Sequence, residues 1–189
     1  MKNDDIYLLH EIEVILTEKS ENQSNDTKIS QEKVRKWMQS GNIEVLGAVF
    51  YFLTDSRYYP HIIPYLSVED YHPFMMHYYE RCLLENPDGE WADSNYAAGG
   101  SLVGWFRGLW DDPNVPRKML DELKKWLGEL YRNGDEELRI CIVNATLEHL
   151  LEKKDMVKYF ADWKKDPILN IAYSEAMLWS NPPKKSNNP

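Results

Sequence analysis

Residues 135–152 read DEELRICIVNATLEHLLE, and this stretch decides the fold. Apolar side chains fall on most sides of its helical wheel, and only Asn144, Glu148 and Glu152 form a clean polar stripe. A helix that is apolar on most faces must be covered by neighbouring elements. The stretch therefore predicts a central helix in the C-terminal half of the chain, with His149 on its apolar side.

Helical patterns with capping signals cover most of the remaining chain. Ser67 and Asp70 form a capping box, Gly134 ends one helix, and Asp166 followed by proline starts the last. The predicted helices span 4–19, 30–39, 43–54, 67–85, 94–110, 116–132, 135–152, 155–165 and 167–180. The polar residues 20–30 predict a flexible loop. Residues 43–54 fit a strand or a helix, and we favour a helix because no turn-separated strand partner follows.

Eight or nine helices with short connections and no convincing strand predict an all-α fold. Consecutive helices joined by short loops pack antiparallel. We therefore expect an irregular stack of antiparallel helical hairpins, as in an α-solenoid or a HEAT-like array, because no strict repeat period is visible. The length suits one helical domain over residues 1–180. The polar, proline-containing residues 181–189 predict a disordered tail.

Composition and sequence pattern disfavour several classes of partner and location. The formal net charge of −9 disfavours binding to a nucleic-acid backbone and favours a basic protein partner. Cys82 and Cys141 lie in apolar helical patterns, which is typical of buried free thiols in a reducing compartment. No signal-peptide pattern and no apolar run of membrane-spanning length is present. We expect a cytoplasmic protein that binds neither membrane nor cofactor.

The charge is distributed unevenly. Residues 41–110 contain nine acidic residues against three arginines and no lysine. The same segment contains 15 of the 24 aromatic residues and 8 of the 12 tyrosines. A tyrosine-rich core explains this composition, and so does a contact surface, because tyrosine gives rigid contact area and lysine is depleted at interfaces.

A stripe of glycines marks the predicted helix 94–110. Gly100, Gly104 and Gly108 recur every fourth residue, and each costs about 1 kcal/mol relative to alanine inside a helix. Small side chains let another backbone approach closely. The stripe therefore predicts a tight crossing with a neighbouring helix, with a groove for a partner's side chain as the alternative.

Catalytic and metal-binding motifs are missing from the sequence. There is no H-E-x-x-H, Walker loop, G-x-S-x-G or C-x-x-C. Glu69, His72, His77 and Glu80 lie on one predicted helix, and they are the residues that an enzyme or metal protein would use. A di-metal bundle needs a second Glu-x-x-His motif, which the chain lacks. A polar helix edge explains the four residues as well, and we expect no metal site.

Residues 91–179 resemble an uncharacterised family of small bacterial all-helical proteins. The likeness is carried by Trp91-Ala92-Asp93-Ser94, Trp105-Phe106 with Trp110, Leu130-Tyr131, Leu147-Glu148-His149-Leu150, and Trp163 with Asp166-Pro167. The resemblance implies a helical fold and carries over no catalytic residue. Small acidic helical proteins of this kind are similar, at the level of class, to immunity proteins of bacterial toxin systems.

These observations favour a non-catalytic module that binds protein. We expect an immunity or inhibitor protein that neutralises a bacterial toxin domain, such as a basic nuclease, through an acidic, tyrosine-rich surface. The residues expected at that surface are Tyr58, Tyr59, Glu69, Asp70, Tyr71, Glu80 and Glu85. A general helical scaffold or adaptor is the main alternative, followed by an enzyme or metal protein and a ligand-binding helical regulator.

Overall fold

The computed structural model describes residues 3–21 and 28–180 and shows an all-α fold, as the sequence predicts. The described residues form nine α-helical segments, with the unbroken run 136–150 counted once, and two short 3₁₀ helices. Most of the predicted loop at 20–30 and the whole predicted tail at 181–189 lie outside the described residues. The chain divides into two compact units, Met1–Ser94 and Asn95–Pro189. The single domain and the solenoid-like stack stay predictions.

The first unit is built from four helices and one very short strand pair. Its elements are α1 (Asn3–Glu21), β1 (Ile29–Ser30), α2 (Gln31–Met38), α3 (Ile43–Thr54), a 3₁₀ turn (Tyr59–His61), β2 (Ile62–Ile63) and α4 (Val68–Glu85). The strands pair in parallel, with Ile29 opposite Ile62. The sequence does not predict this pair, because two residues are too few to show alternation.

Side-chain caps fix where these helices begin. Ser30 accepts a hydrogen bond from the Lys33 backbone N–H at 3.2 Å, and Asn42 accepts one from Glu44 at 2.9 Å. Ser67 and Asp70 form the predicted capping box at the start of α4. These bonds satisfy N–H groups that the first helical turn leaves without partners.

Helix α3 is the core of the first unit. Val45, Leu46, Ala48, Val49 and Phe52 are fully buried, which confirms a helix covered on nearly all sides at 43–54. Helices α1, α2 and α4 all pack against it.

The second unit surrounds the predicted central helix. Its elements are α5 (Asn95–Asp111), α6 (Arg117–Asn133), α7 (Glu136–Cys141), a π-helical segment (Ile142–Leu147), α8 (Glu148–Leu150), α9 (Lys154–Tyr159), a 3₁₀ helix (Ala161–Lys165) and α10 (Leu169–Ser180). Asp166 caps α10 by accepting hydrogen bonds from the Ile168 and Leu169 backbone N–H groups at 3.0 Å.

The central run 136–150 is helical and mostly buried, but it is not a uniform α-helix. Hydrogen bonds in a π segment span five residues, so each turn holds more residues than an α-turn and shifts the phase of everything after it. His149 lies beyond this segment and is exposed, with its Nδ1 3.2 Å from Glu152 Oε1. Its predicted place on the apolar side is therefore wrong, because a wheel drawn at one fixed angle ignores the π turn.

The glycine stripe does not make the predicted helix crossing. Gly100, Gly104 and Gly108 are exposed, and a Cβ added at any of them would meet no atom within 4 Å. The close approach is instead at Gly99, where an added Cβ would lie 2.7 Å from Ala145 Cβ. Thr146 Oγ1 donates a hydrogen bond to the Gly99 carbonyl at 3.0 Å in the same place. Helix α5 therefore contacts the π segment through Gly99, which lies beside the stripe, and not through the stripe itself.

Two alanine substitutions in α5 separate these environments. Gly99→Ala should lower the free energy of unfolding by about 1–3 kcal/mol, because the new methyl group overlaps Ala145. Gly104→Ala should raise it by up to about 1 kcal/mol, because it improves helix propensity in open space. Urea denaturation of both variants measures the difference. Destabilisation by Gly104→Ala equal to that by Gly99→Ala would contradict the assignment of the packed face.

Candidate protein-binding surface

The two cysteines are free thiols that the fold buries. Cys82 and Cys141 are both fully buried. Burial raises the pKa of Cys82 to about 12 and that of Cys141 to about 11. Both are therefore neutral at pH 7, and a neutral thiol is a poor nucleophile. Neither residue is arranged for covalent catalysis.

The four residues considered for a metal site do not converge. Glu69 and His77 are exposed on α4, whereas His72 on the same helix is only 4% exposed. Among the described residues, no group of three or more His, Cys, Asp or Glu side chains is placed to hold a metal ion. Glu69 and His72 are three residues apart and so are neighbours on the helix, but Glu69 lies in solvent and His72 is buried.

Several carboxylates of the lysine-free segment are used within the first unit. Asp70 completes the capping box and bonds to Arg35 at 2.6 Å. Asp55 pairs with Arg57 at 2.6 Å, and Glu85 pairs with Arg81 one turn earlier on α4. These groups are part of the fold and offer less charge to a partner than their number suggests.

Glu44 is the most heavily used of these carboxylates. It accepts hydrogen bonds from the backbone N–H groups of Glu90, Trp91 and Ala92 at 2.9, 2.9 and 3.4 Å. The chain there runs so close to α3 that a Cβ on Gly47 would lie 2.4 Å from the Trp91 carbonyl oxygen. The segment leaving the first unit is thus held on α3 by an acidic side chain.

The outward face of α4 carries carboxylates of a second kind. Glu69 and Glu80 are eleven residues apart, which is three helical turns, so they share one face. Neither has a hydrogen bond or an ion pair within the described part of the chain. Exposed His77 lies between them, and Leu84, 58% exposed, extends the same face by a turn. Of the residues predicted for partner binding, this face brings together Glu69 and Glu80.

The tyrosines predicted as exposed anchors are mostly core residues. Tyr58 is 2% exposed, stacks on Phe52 and donates its hydroxyl hydrogen to the Leu16 carbonyl at 2.9 Å. Tyr71 is 6% exposed, and Tyr59 is half-buried with its hydroxyl bonded to the Leu66 carbonyl. Tyr58 and Tyr71 are therefore core residues and are not exposed at a contact surface as predicted, because their burial depends on contacts that the local sequence does not show.

A short apolar tip lies exposed between two buried residues. Ile62 and Leu66 are 2% and 0% exposed, whereas Ile63 and Tyr65 are 46% and 64% exposed, with exposed Pro64 between them. Sequence reasoning did not select this tip. The sequence signal for it is Ile63-Pro64-Tyr65, three consecutive residues without charge, in a connection that Pro60 and Pro64 keep irregular.

One groove in the second unit is lined by charges that pair with each other. A groove of about 360 Å³ in the second unit is crossed by the ion pairs Lys124–Asp162 and Arg132–Asp166, above Gly128. These charges pair with each other across the groove, so the groove is a contact between neighbouring helical segments. No functional role follows from its lining.

No protein-family model, curated protein or solved structure matches this chain. Within the described ranges 3–21 and 28–180, no helix is both long and apolar enough to cross a membrane.

Neighbouring acidic residues on α4 should respond differently to neutralisation. The Ser67 hydroxyl, and next the Arg35 guanidinium, lower the pKa of Asp70 from 3.8 to about 2. Asp70→Asn should lower the free energy of unfolding at pH 7 by about 1 kcal/mol, the scale of a lost cap on a partly exposed group. Glu69→Gln, the adjacent control, should have a smaller effect.

The pH dependence gives the sign of this effect. A carboxylate whose pKa is lowered by folding stabilises the protein fully above its unfolded pKa, and that stabilisation is lost as the pH falls through the folded value. The deficit of Asp70→Asn relative to the parent should therefore shrink between pH 4 and pH 2. Urea denaturation at pH 7, 4 and 2.5 tests this, and a deficit that stays constant would show that the ionised carboxylate does not stabilise the capping box.

Proposed function

We propose that this protein is a non-catalytic binding module of the immunity or inhibitor type, which neutralises a bacterial toxin domain such as a basic nuclease. The observation that carries the proposal is the outward face of α4, where Glu69 and Glu80 have no partner among the described residues. This face presents negative charge that the fold itself does not use.

Surface charges that the fold does not pair repel each other, and a partner of opposite charge relieves this repulsion. Like charges on a surface repel each other, and they attract a partner of opposite charge before contact. A nuclease domain is basic where it holds nucleic acid, so an acidic face that covers this surface also blocks the substrate. The resemblance to small acidic helical proteins supports the same function.

The remaining chemistry of the chain supports binding in preference to catalysis. The thiols of Cys82 and Cys141 are buried and neutral, and His72 is only 4% exposed. Exposed Glu69, His77 and Leu84 and half-buried Glu80 lie on a convex helix face, whereas catalytic sites are concave and exclude water.

A general scaffold or adaptor is the second candidate, and one observation in the second unit favours it. Exposed apolar side chains follow one side of α10 and the residue before it: Ile168 (42%), Ile171 (52%), Leu178 (67%) and Trp179 (63%). Apolar residues grouped on one helix often mark a protein contact. An adaptor would use this face, whereas an immunity protein of the proposed kind uses α4.

The test uses the catalytically inactivated C-terminal domain of the secreted protein encoded immediately upstream of the gene. Glu69→Lys with Glu80→Lys should slow association with this domain about tenfold at low salt and flatten the salt dependence. The control Glu136→Lys with Glu175→Lys makes the same change in net charge on exposed residues of the second unit. Stopped-flow kinetics at several salt concentrations measures both variants.

Three outcomes would count against the proposal. The first is that no secreted protein is encoded beside the gene, and the second is that the domain does not bind the parent protein. The third is that the control pair slows association as much as the α4 pair. The last result would show that total charge, and not the face of α4, attracts the partner. Loss of binding on Trp179→Ala together with unchanged binding of the α4 pair would favour the adaptor.

A further inference from the structure

The apolar tip of residues 63–65 is unusual for a loop. Exposed connections are commonly rich in polar residues, and exposed apolar residues that stand together mark interaction sites. Here the chain leaves the core after Ile62, presents Ile63, Pro64 and Tyr65 to solvent, and returns to the core at Leu66. The first unit gains no burial from these exposed portions.

The tip is also held in place on several sides. The Gln31 side chain donates a hydrogen bond to the Tyr65 carbonyl at 3.1 Å. The Tyr59 ring contacts the Tyr65 ring edge-on at a centroid distance of 5.5 Å, and the Tyr59 hydroxyl bonds to the next carbonyl, that of Leu66. Because the buried Tyr71 ring also contacts the Tyr59 ring, at a centroid distance of 5.8 Å, this support is connected to the core.

We infer that Tyr65, with Ile63 beside it, is the anchor that enters an apolar pocket in the basic partner of this protein. The inference rests on the proposed function and adds the residue that holds the complex together. A tyrosine fixed before binding loses little conformational freedom on contact, and buried aromatic anchors dominate the binding energy of interfaces.

The charges around the tip indicate that its pocket has a basic rim. Glu32 follows Gln31, which contacts Tyr65, and Glu69 lies in the first turn of α4 after the tip. Neither carboxylate has an ion pair in the part of the chain that the structure describes. The nearby Arg35 is paired with Asp70, and the two carboxylates exceed the one lysine, Lys28, that directly precedes β1. We therefore expect lysine or arginine side chains of the partner around the apolar pocket that receives the tip.

Tyr7 is an exposed aromatic residue that lacks this support. Tyr7 is 74% exposed on α1, and it has no ring contact or hydrogen bond within residues 4–17 and 28–180. A partner that bound Tyr7 would have to order its ring, and this ordering costs conformational entropy. Tyr65 has already lost that entropy on folding. Tyr7 is for this reason the matched control.

The test measures dissociation from the same inactivated toxin domain by surface plasmon resonance. Tyr65→Ala should raise the dissociation rate constant about thirtyfold or more, with the association rate and its salt dependence little changed. Tyr65→Phe, which keeps the ring, should stay near the parent, and Tyr7→Ala should dissociate at the parent rate. Circular dichroism melts confirm that each variant is folded, as the exposure of both side chains leads us to expect.

The outcomes separate the two proposals. If the parent binds and Tyr65→Ala dissociates at the parent rate, the anchor is wrong and the proposed function stands. If Tyr65→Phe is as weak as Tyr65→Ala, the hydroxyl group and not an apolar pocket holds the residue, which overturns the inference in its stated form. If the parent itself does not bind the domain, the proposed function fails and the anchor fails with it.

Discussion

The carboxylate of Glu44 and the three backbone N–H groups that it binds hold the end of the first unit against its core. Consecutive N–H groups in a loop have no helix or sheet to satisfy them, so an anionic acceptor is an effective partner. Gly47 and Gly89 leave room for this contact, since a side chain at either position would overlap the opposing segment. One acidic residue thereby fixes how the chain passes over α3 on its way out of the unit.

This use of Glu44 divides the acidic residues of the lysine-free segment into two kinds. Carboxylates such as Glu44 and Asp70 build the fold by bonding to backbone N–H groups, hydroxyls and arginines. Glu69, which is exposed, and Glu80, which is half-buried, make no such bond within the described residues. The net charge counts both kinds alike, so it overstates the negative charge that is available to a partner. The function proposed for this protein depends on the second kind.

Local signals predicted the fold well, and long-range geometry limited the prediction of the site. The caps at Ser30, Asn42, Ser67 and Asp166 act within a few residues, so the sequence alone locates the helix starts. His149 was misplaced because a π segment shifted the phase of the helix before it. The contact at Gly99, and not at Gly104, depends on which side of α5 meets the π segment. The exposure of Tyr58 and Tyr71 is mispredicted for a similar reason, since the burial of each ring is decided by residues distant in sequence.

Carbodiimide-catalysed labelling of carboxyl groups with glycine ethyl ester, read by peptide mass spectrometry, tests the division of the acidic residues most directly. It needs only the free protein and compares all carboxylates in one experiment. The account predicts that Glu69 and Glu80 are modified faster than Glu44 and Asp70, because hydrogen bonds and ion pairs protect the latter two. Equal rates for the four residues, or faster modification of Glu44, would contradict it.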